Sequence, residues 1–167
     1  SVSKDLDAAL NSNRIAYLGS VFLPFFLFMM VLRFCKIKAS KPLMLTLVTI
    51  GIVMLGITTS PGISTVYYKT VDIELVGGYT KLVRTYGPLH TLYYVYLGIY
   101  MLTMAGIAVY AVVKKKIKSH LHTFLLLSAV LCNIIIWLVE QFLPRSFEWL
   151  SVSYILTECL ILALYQS

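Results

Sequence analysis

Apolar residues gather in five long stretches, Ile15–Phe34, Leu43–Ser60, Leu89–Val113, Leu121–Leu143 and Phe147–Tyr165, and only Arg33, Glu140, Glu148 and Glu158 among the charged residues fall within them. A helix crosses a hydrocarbon core of roughly 30 Å with about 20 mostly apolar residues. Only helices and closed barrels satisfy their backbone groups in lipid, and these stretches are too long for barrel strands. The pattern predicts an all-α polytopic membrane protein, a bundle of five transmembrane helices forming one membrane-embedded domain over residues 1–167. Pro24 removes a backbone hydrogen bond within the first span and predicts a kink there. The Thr- and Gly-rich second span (Thr46, Thr49, Gly51, Gly56, Thr58, Thr59) suits close helix packing.

One gap is long enough to fold. In Tyr67–Val76 the apolar Val71, Ile73 and Leu75 alternate with Asp72 and Glu74, and Tyr79–Tyr86 reads as a return strand beyond Gly77–Gly78. A two-residue glycine turn between such runs predicts a β-hairpin over residues 66–86, with Ile73 opposite Leu82 and Glu74 opposite Lys81. This hairpin is expected to act as an external lid.

Composition and charge fix the orientation. The mean hydropathy of +0.85 lies far from that of soluble domains. A net charge of +7 could indicate nucleic acid, but its distribution argues for membrane topology. Arg33, Lys36, Lys38 and Lys41 fill one short gap, and Lys114, Lys115, Lys116 and Lys118 fill another. Basic clusters in alternate loops mark the cytoplasmic side and its anionic lipids. The remaining gaps mix signs, so they are expected outside, with an external chain start and a cytoplasmic C-terminus. The expected location is a membrane, multi-pass, and no nucleic-acid partner is expected. Cys35, Cys132 and Cys159 form no C-x-x-C pair and read as reduced or packing residues. No basic n-region precedes Ile15, so no cleavable signal peptide is expected. Ser1–Arg14 reads as a polar helical lead-in, and both ends of the chain read as cut.

Polar side chains within spans carry a cost and therefore point to function. On the fourth span Asn133, Trp137 and Glu140 share a face, with Gln141 beside them. On the fifth, Ser151, Tyr154 and Glu158 share another. At about 1.5 Å per residue, Asn133 and Glu158 both lie roughly 15 Å from the outer end, so they are expected to meet near the midplane. His90, Tyr93, Tyr96 and Tyr100 descend one broad face of the third span. Together, His90, Tyr93, Tyr96, Tyr100, Asn133, Trp137, Glu140, Tyr154 and Glu158 form the candidate ligand-binding set, an aromatic pocket open to the outside. Taken singly, the tyrosines fit an interfacial belt and core as well. His120-x-His122 is a weak metal pattern, and no H-E-x-x-H, G-x-S-x-G or phosphate loop occurs. No catalytic residue, metal or cofactor is expected in this chain.

The run Arg14-Ile15-Ala16-Tyr17-Leu18-Gly19, followed by Pro24 in the same span, resembles the start of the third helix in a family of bacterial sensors. Tyr86-Gly87-Pro88-Leu89, followed by the Tyr-rich stretch Tyr93–Tyr100, resembles the head of a later helix in that family. The family is the N-terminal seven-transmembrane region found ahead of histidine kinases, diguanylate cyclases and some transcriptional regulators, and the resemblance covers nearly the whole chain. It implies that the five spans are helices three to seven, that two helices precede them, and that a cytoplasmic effector follows Ser167 in the same polypeptide.

The expected function is signal input: detection of an external or membrane-borne stimulus, through a small or lipophilic ligand, and its relay to that effector, with homodimerisation left open. The alternative, a transporter or channel component with a midplane polar site, predicts an internal repeat or interrupted helices; only Pro24 interrupts a span.

Overall fold

A computed structural model describes residues 6–76, 79–116, 120–142 and 149–166. Among them it contains five helices, α1 (Leu6–Phe34), α2 (Lys41–Thr58), α3 (His90–Val113), α4 (His120–Phe142) and α5 (Trp149–Gln166), and two strands, β1 (Tyr68–Val76) and β2 (Tyr79–Tyr86). Each expected span coincides with a helix. The lead-in is not separate: α1 starts at Leu6, with Asp7 in its first turn, and continues through Pro24 as one helix of 29 residues. Of the described helices, α1, α2 and α3 are long and apolar enough to cross a membrane. The fold is mostly helical, with one small two-stranded sheet.

Burial follows helical periodicity. On α1 the buried positions include Leu10, Tyr17, Val21, Phe28, Leu32 and, just beyond its end, Cys35; on α3 they include Tyr93, Tyr96, Tyr100, Met104, Ala108 and Ala111. Such three-to-four-residue spacing places one stripe inward. The opposite faces stay apolar yet exposed, with Ile15, Leu18 and Phe26 on α1 and Val95, Ile99, Leu102 and Val109 on α3. On α2 the buried residues are Gly51, Met54 and Thr58, and apolar Leu45, Ile52 and Val53 are exposed. Broad apolar surface on single helices suits lipid contact and would be a liability in water.

The helix ends facing the basic gaps close in the same way. After α1, Ile37 N–H donates to Leu32 O and Lys36 N–H to Arg33 O; after α3, Lys116 N–H donates to Ala111 O and Lys115 N–H to Val112 O. Lys36 and Lys115 hold the left-handed conformation at these two caps, with φ of 56° and 51°. Glycine normally occupies that position. Here lysines place positive charge against the carbonyl ends of the helices.

The strands pair antiparallel, with Ile73 opposite Leu82 and Glu74 opposite Lys81, as the alternation requires. The ladder closes at Val76 opposite Tyr79, flanking Gly77–Gly78, which lie outside the described residues. An irregularity between Tyr68 and Thr70 skips Lys69, and beyond it Thr70 Oγ1 donates to Thr85 Oγ1 at 2.8 Å.

By internal contacts the chain divides into two units. One comprises residues 1–21 and 48–96, and the other residues 22–47 and 97–167. The hairpin belongs to the first; α4 and α5 belong to the second.

Candidate functional site

The first unit is built around phenols. Tyr17 of α1 and Tyr68 at the start of β1 share a hydrogen bond at 2.8 Å, in which either hydroxyl can supply the proton, and Tyr67 donates to Tyr17 at 3.0 Å. Tyr17, Tyr67 and Tyr68 are all buried. Arg84 of β2 joins them: its Nη1 donates to Tyr68 Oη at 2.9 Å and to Asn13 Oδ1 at 3.3 Å, and the guanidinium lies 5.3 Å from the centre of the Tyr68 ring. Burial works against the Arg84 charge, but the surrounding oxygens of Tyr68, Tyr17 and Tyr86 outweigh it and raise its pKa above the usual arginine range. Burial likewise holds the Tyr67 phenol protonated well above the usual range, although its bond to Tyr17 opposes this. A guanidinium in a nest of neutral phenols is stabilised by both hydrogen bonds and ring faces.

His90 forms the second half of the cluster. Its ring lies 3.8 Å from that of Tyr86 at 30°, with Tyr94 at 5.0 Å and Tyr67 at 5.1 Å. Tyr93 packs edge-on against Tyr17 at 5.6 Å. Tyr93 and Tyr96 reach back to α1, donating to the carbonyl oxygens of Ser20 at 3.3 Å and Val21 at 2.8 Å. Hydrogen bonds of this kind hold helices together in lipid, where apolar surface alone supplies little preference. The hairpin is therefore tied to α1 through Arg84 and Tyr68, and to α3 through Tyr86 stacked on His90.

Two quoted motifs acquire physical reasons here. A Cβ on Gly87 would collide with the carbonyl oxygens of Thr65 and Val66, while Gly87 N–H donates to Tyr67 O at 2.8 Å and Leu89 N–H to Val66 O at 3.0 Å. Only glycine permits this backbone approach. Arg14 meets the end of α2: its Nε donates to Thr59 O at 3.2 Å and Nη2 to Pro61 O at 3.0 Å, with Nη1 on Asn11 Oδ1 at 2.9 Å. These contacts satisfy carbonyls that a helix terminus leaves open.

The second unit contains a separate polar knot between α4 and α5. Asn133, fully buried, donates through Nδ2 to Thr157 Oγ1 at 2.7 Å and Ala129 O at 2.9 Å, and its Oδ1 accepts from Ser153 Oγ at 2.8 Å. The expected pairing of Asn133 with Glu158 is thereby corrected. Ser153 and Thr157 are one turn apart and both meet Asn133 of α4, and Tyr154 beside them is buried. Glu158, one residue on, turns about 100° away and lines a groove with the end of α1. Trp137 lies one turn from Asn133 with its indole against Gly98, where a Cβ would stand 3.4 Å from Cζ2. Tyr100 packs edge-on against Phe28 at 5.7 Å.

The nine candidates thus divide between the units. His90, Tyr93 and Tyr96 belong to the first, and Tyr100, Asn133, Trp137, Tyr154 and Glu158 to the second. The side chain of Glu140 lies outside the described residues, as do those of Gln141, His120 and His122. Sequence reasoning missed Tyr17, Tyr67, Tyr68 and Arg84. The available signal was a loop arginine beside three aromatic residues at the hairpin ends. It also missed Ser153 and Thr157, whose four-residue spacing marks one polar face.

Neither a curated protein nor a solved structure matches the chain. A family model described as the N-terminal 7TM region of histidine kinase matches residues 1–166. Spanning all but the final residue, this match establishes that the chain belongs to the N-terminal 7TM region of histidine kinases.

Proposed function

We propose that the chain is the signal-input module of a histidine kinase. It crosses a bacterial inner membrane five times, with the hairpin outside and the basic loops in the cytoplasm, and passes its state inward through α5 to a kinase domain in the same polypeptide. The single observation that carries this reading is the buried Tyr–Arg–His cluster. Through it, an element suited to meet an external stimulus is bonded to two apolar helices, so its position cannot change without disturbing them. A small or lipophilic ligand acting at the hairpin would bias the bundle only by binding two arrangements unequally. Support for α4 as a span comes from its apolar run Leu127–Val139 within 23 residues, about 35 Å of helix. The family description favours a kinase over a cyclase as the effector.

The test is topology. In a cysteine-free background of the intact protein in cells, Gly78→Cys is expected to react with an impermeant thiol reagent added outside. Lys116→Cys is expected to react only after permeabilisation. The reverse pattern would invert the topology and remove the hairpin from the stimulus side. In the unsubstituted protein, tested separately, Cys35 should stay unlabelled in both conditions: it is fully buried, and burial pushes its thiol up to about 11 with Lys116 opposing, so little reactive thiolate forms.

A further inference from the structure

Glu158 lies one residue beyond Thr157 on α5 and takes no part in the polar knot around Asn133. It lines an open groove of about 730 Å³ in the second unit, whose walls include Phe26, Met29 and Met30 from the last turns of α1. Arg33, at the end of α1, and Lys38, in the following loop, lie on the same groove. That volume falls within the range of small-molecule sites, roughly 300–1,000 Å³. Phe26 and Arg33 are separated by about 10 Å of helix rise. The groove therefore pairs an apolar wall with basic groups at the end where α1 leaves the membrane. Glu158 Oε1 is buried with no hydrogen-bond partner among the described residues, a costly state for a carboxyl oxygen.

We infer that this groove binds one anionic phospholipid with a hydroxyl-bearing headgroup, its phosphodiester between Arg33 and Lys38, a headgroup hydroxyl on Glu158, and an acyl chain along Met29, Met30 and Phe26. Each part of the ligand answers a feature of the groove. The cations require an anion, the methionine and phenylalanine wall requires a flexible apolar chain, and the orphan carboxyl oxygen requires a polar hydrogen. A free phosphate would meet the first requirement and leave the apolar wall empty. The inference rests on membrane placement of α1 and α2, and not on the sensor reading.

The experiment is native mass spectrometry of the purified intact protein equilibrated with phosphatidylglycerol, phosphatidylmethanol (a phosphodiester lipid without a hydroxyl) or phosphatidylcholine of matched chains. Phosphatidylglycerol is expected to be retained most and phosphatidylcholine least, by a factor of about fivefold or more for each basic side chain engaged. R33Q/K38Q should abolish the preference over phosphatidylcholine, while K114Q/K115Q in the other basic loop should leave it intact. Met29→Trp, which fills the groove without changing charge, should reduce retention of every lipid. Inorganic phosphate should not displace the lipid.

Equal retention of phosphatidylglycerol and phosphatidylcholine would overturn the site, as would equal sensitivity to the two pairs of substitutions. Competition by inorganic phosphate would replace the lipid with a small anion. Equal retention of phosphatidylglycerol and phosphatidylmethanol would overturn the role given to Glu158. None of these results depends on kinase output, so failure here is distinguishable from failure of the sensor reading.

Discussion

Gly87→Ala is expected to destabilise the protein by about 2–3 kcal/mol, as overpacking against a surface that cannot yield typically does. The added methyl would overlap the carbonyl oxygens of Thr65 and Val66, which are main chain and not the flexible end of a side chain. Relief requires the 65–67 segment to separate from the start of α3, breaking the bonds from Gly87 N–H to Tyr67 O and from Leu89 N–H to Val66 O. Tyr67 would then lose its position beneath Tyr17 and beside His90. Thermal unfolding in detergent measures the loss, and amide exchange should show it beginning at residues 87–89. Gly106→Ala, on α3 with nothing within 4 Å of its Cβ, is the control. It should be neutral or stabilising by up to about 1 kcal/mol. Equal behaviour of the two variants would refute the close approach.

Arg84→Leu should cost about 3 kcal/mol or more, because hydrogen bonds from a charged donor are worth about 1.5–3 kcal/mol and two are lost together with the ring contact. Tyr68 loses its donor and Asn13 is left with an unpaired Oδ1. The decisive measurement is a double-substitution cycle. In a Tyr68→Phe background, which removes the shared hydroxyl, Arg84→Leu should cost less by about 1–2 kcal/mol. Additive effects would mean that Arg84 stabilises through hydrophobic cover and not through the phenol. Arg84→Lys retains charge but cannot reproduce the planar fork, so it should recover only part of the loss.

What was legible in the sequence followed from period and contrast. Long apolar runs located every helix to within a few residues, except at the start of α1, where Leu6, Ala9 and Leu10 gave too weak an apolar face to show that the lead-in and the span are one helix. The hairpin register was readable because strand side chains alternate on either side of two glycines in the sequence; Ile73 pairs with Leu82 for that reason. Partner choice was not readable. Asn133 and Glu158 have similar estimated depth, but depth ignores the 100° step per residue that turns Thr157 toward Asn133 and Glu158 away from it. Arg84 was hidden for a different reason: an arginine between two spans looks solvated until Tyr17 and Tyr68, remote in sequence, fold around it. The left-handed lysines at 36 and 115 break the usual glycine preference and leave no sequence signal of a cap.

Excision of the hairpin in the intact kinase addresses the proposed coupling most directly. Tyr68 and Tyr86 are Cα partners, so Lys69–Thr85 can be replaced by Asn-Gly without moving the strand ends. The variant should insert and stay folded on α1 and α3, which remain joined through Tyr93 and Tyr96. Autophosphorylation measured in vesicles should move to a different basal rate and lose its dependence on the stimulus. An excised protein that autophosphorylates at the unmodified rate and still responds would contradict the hairpin as the input element.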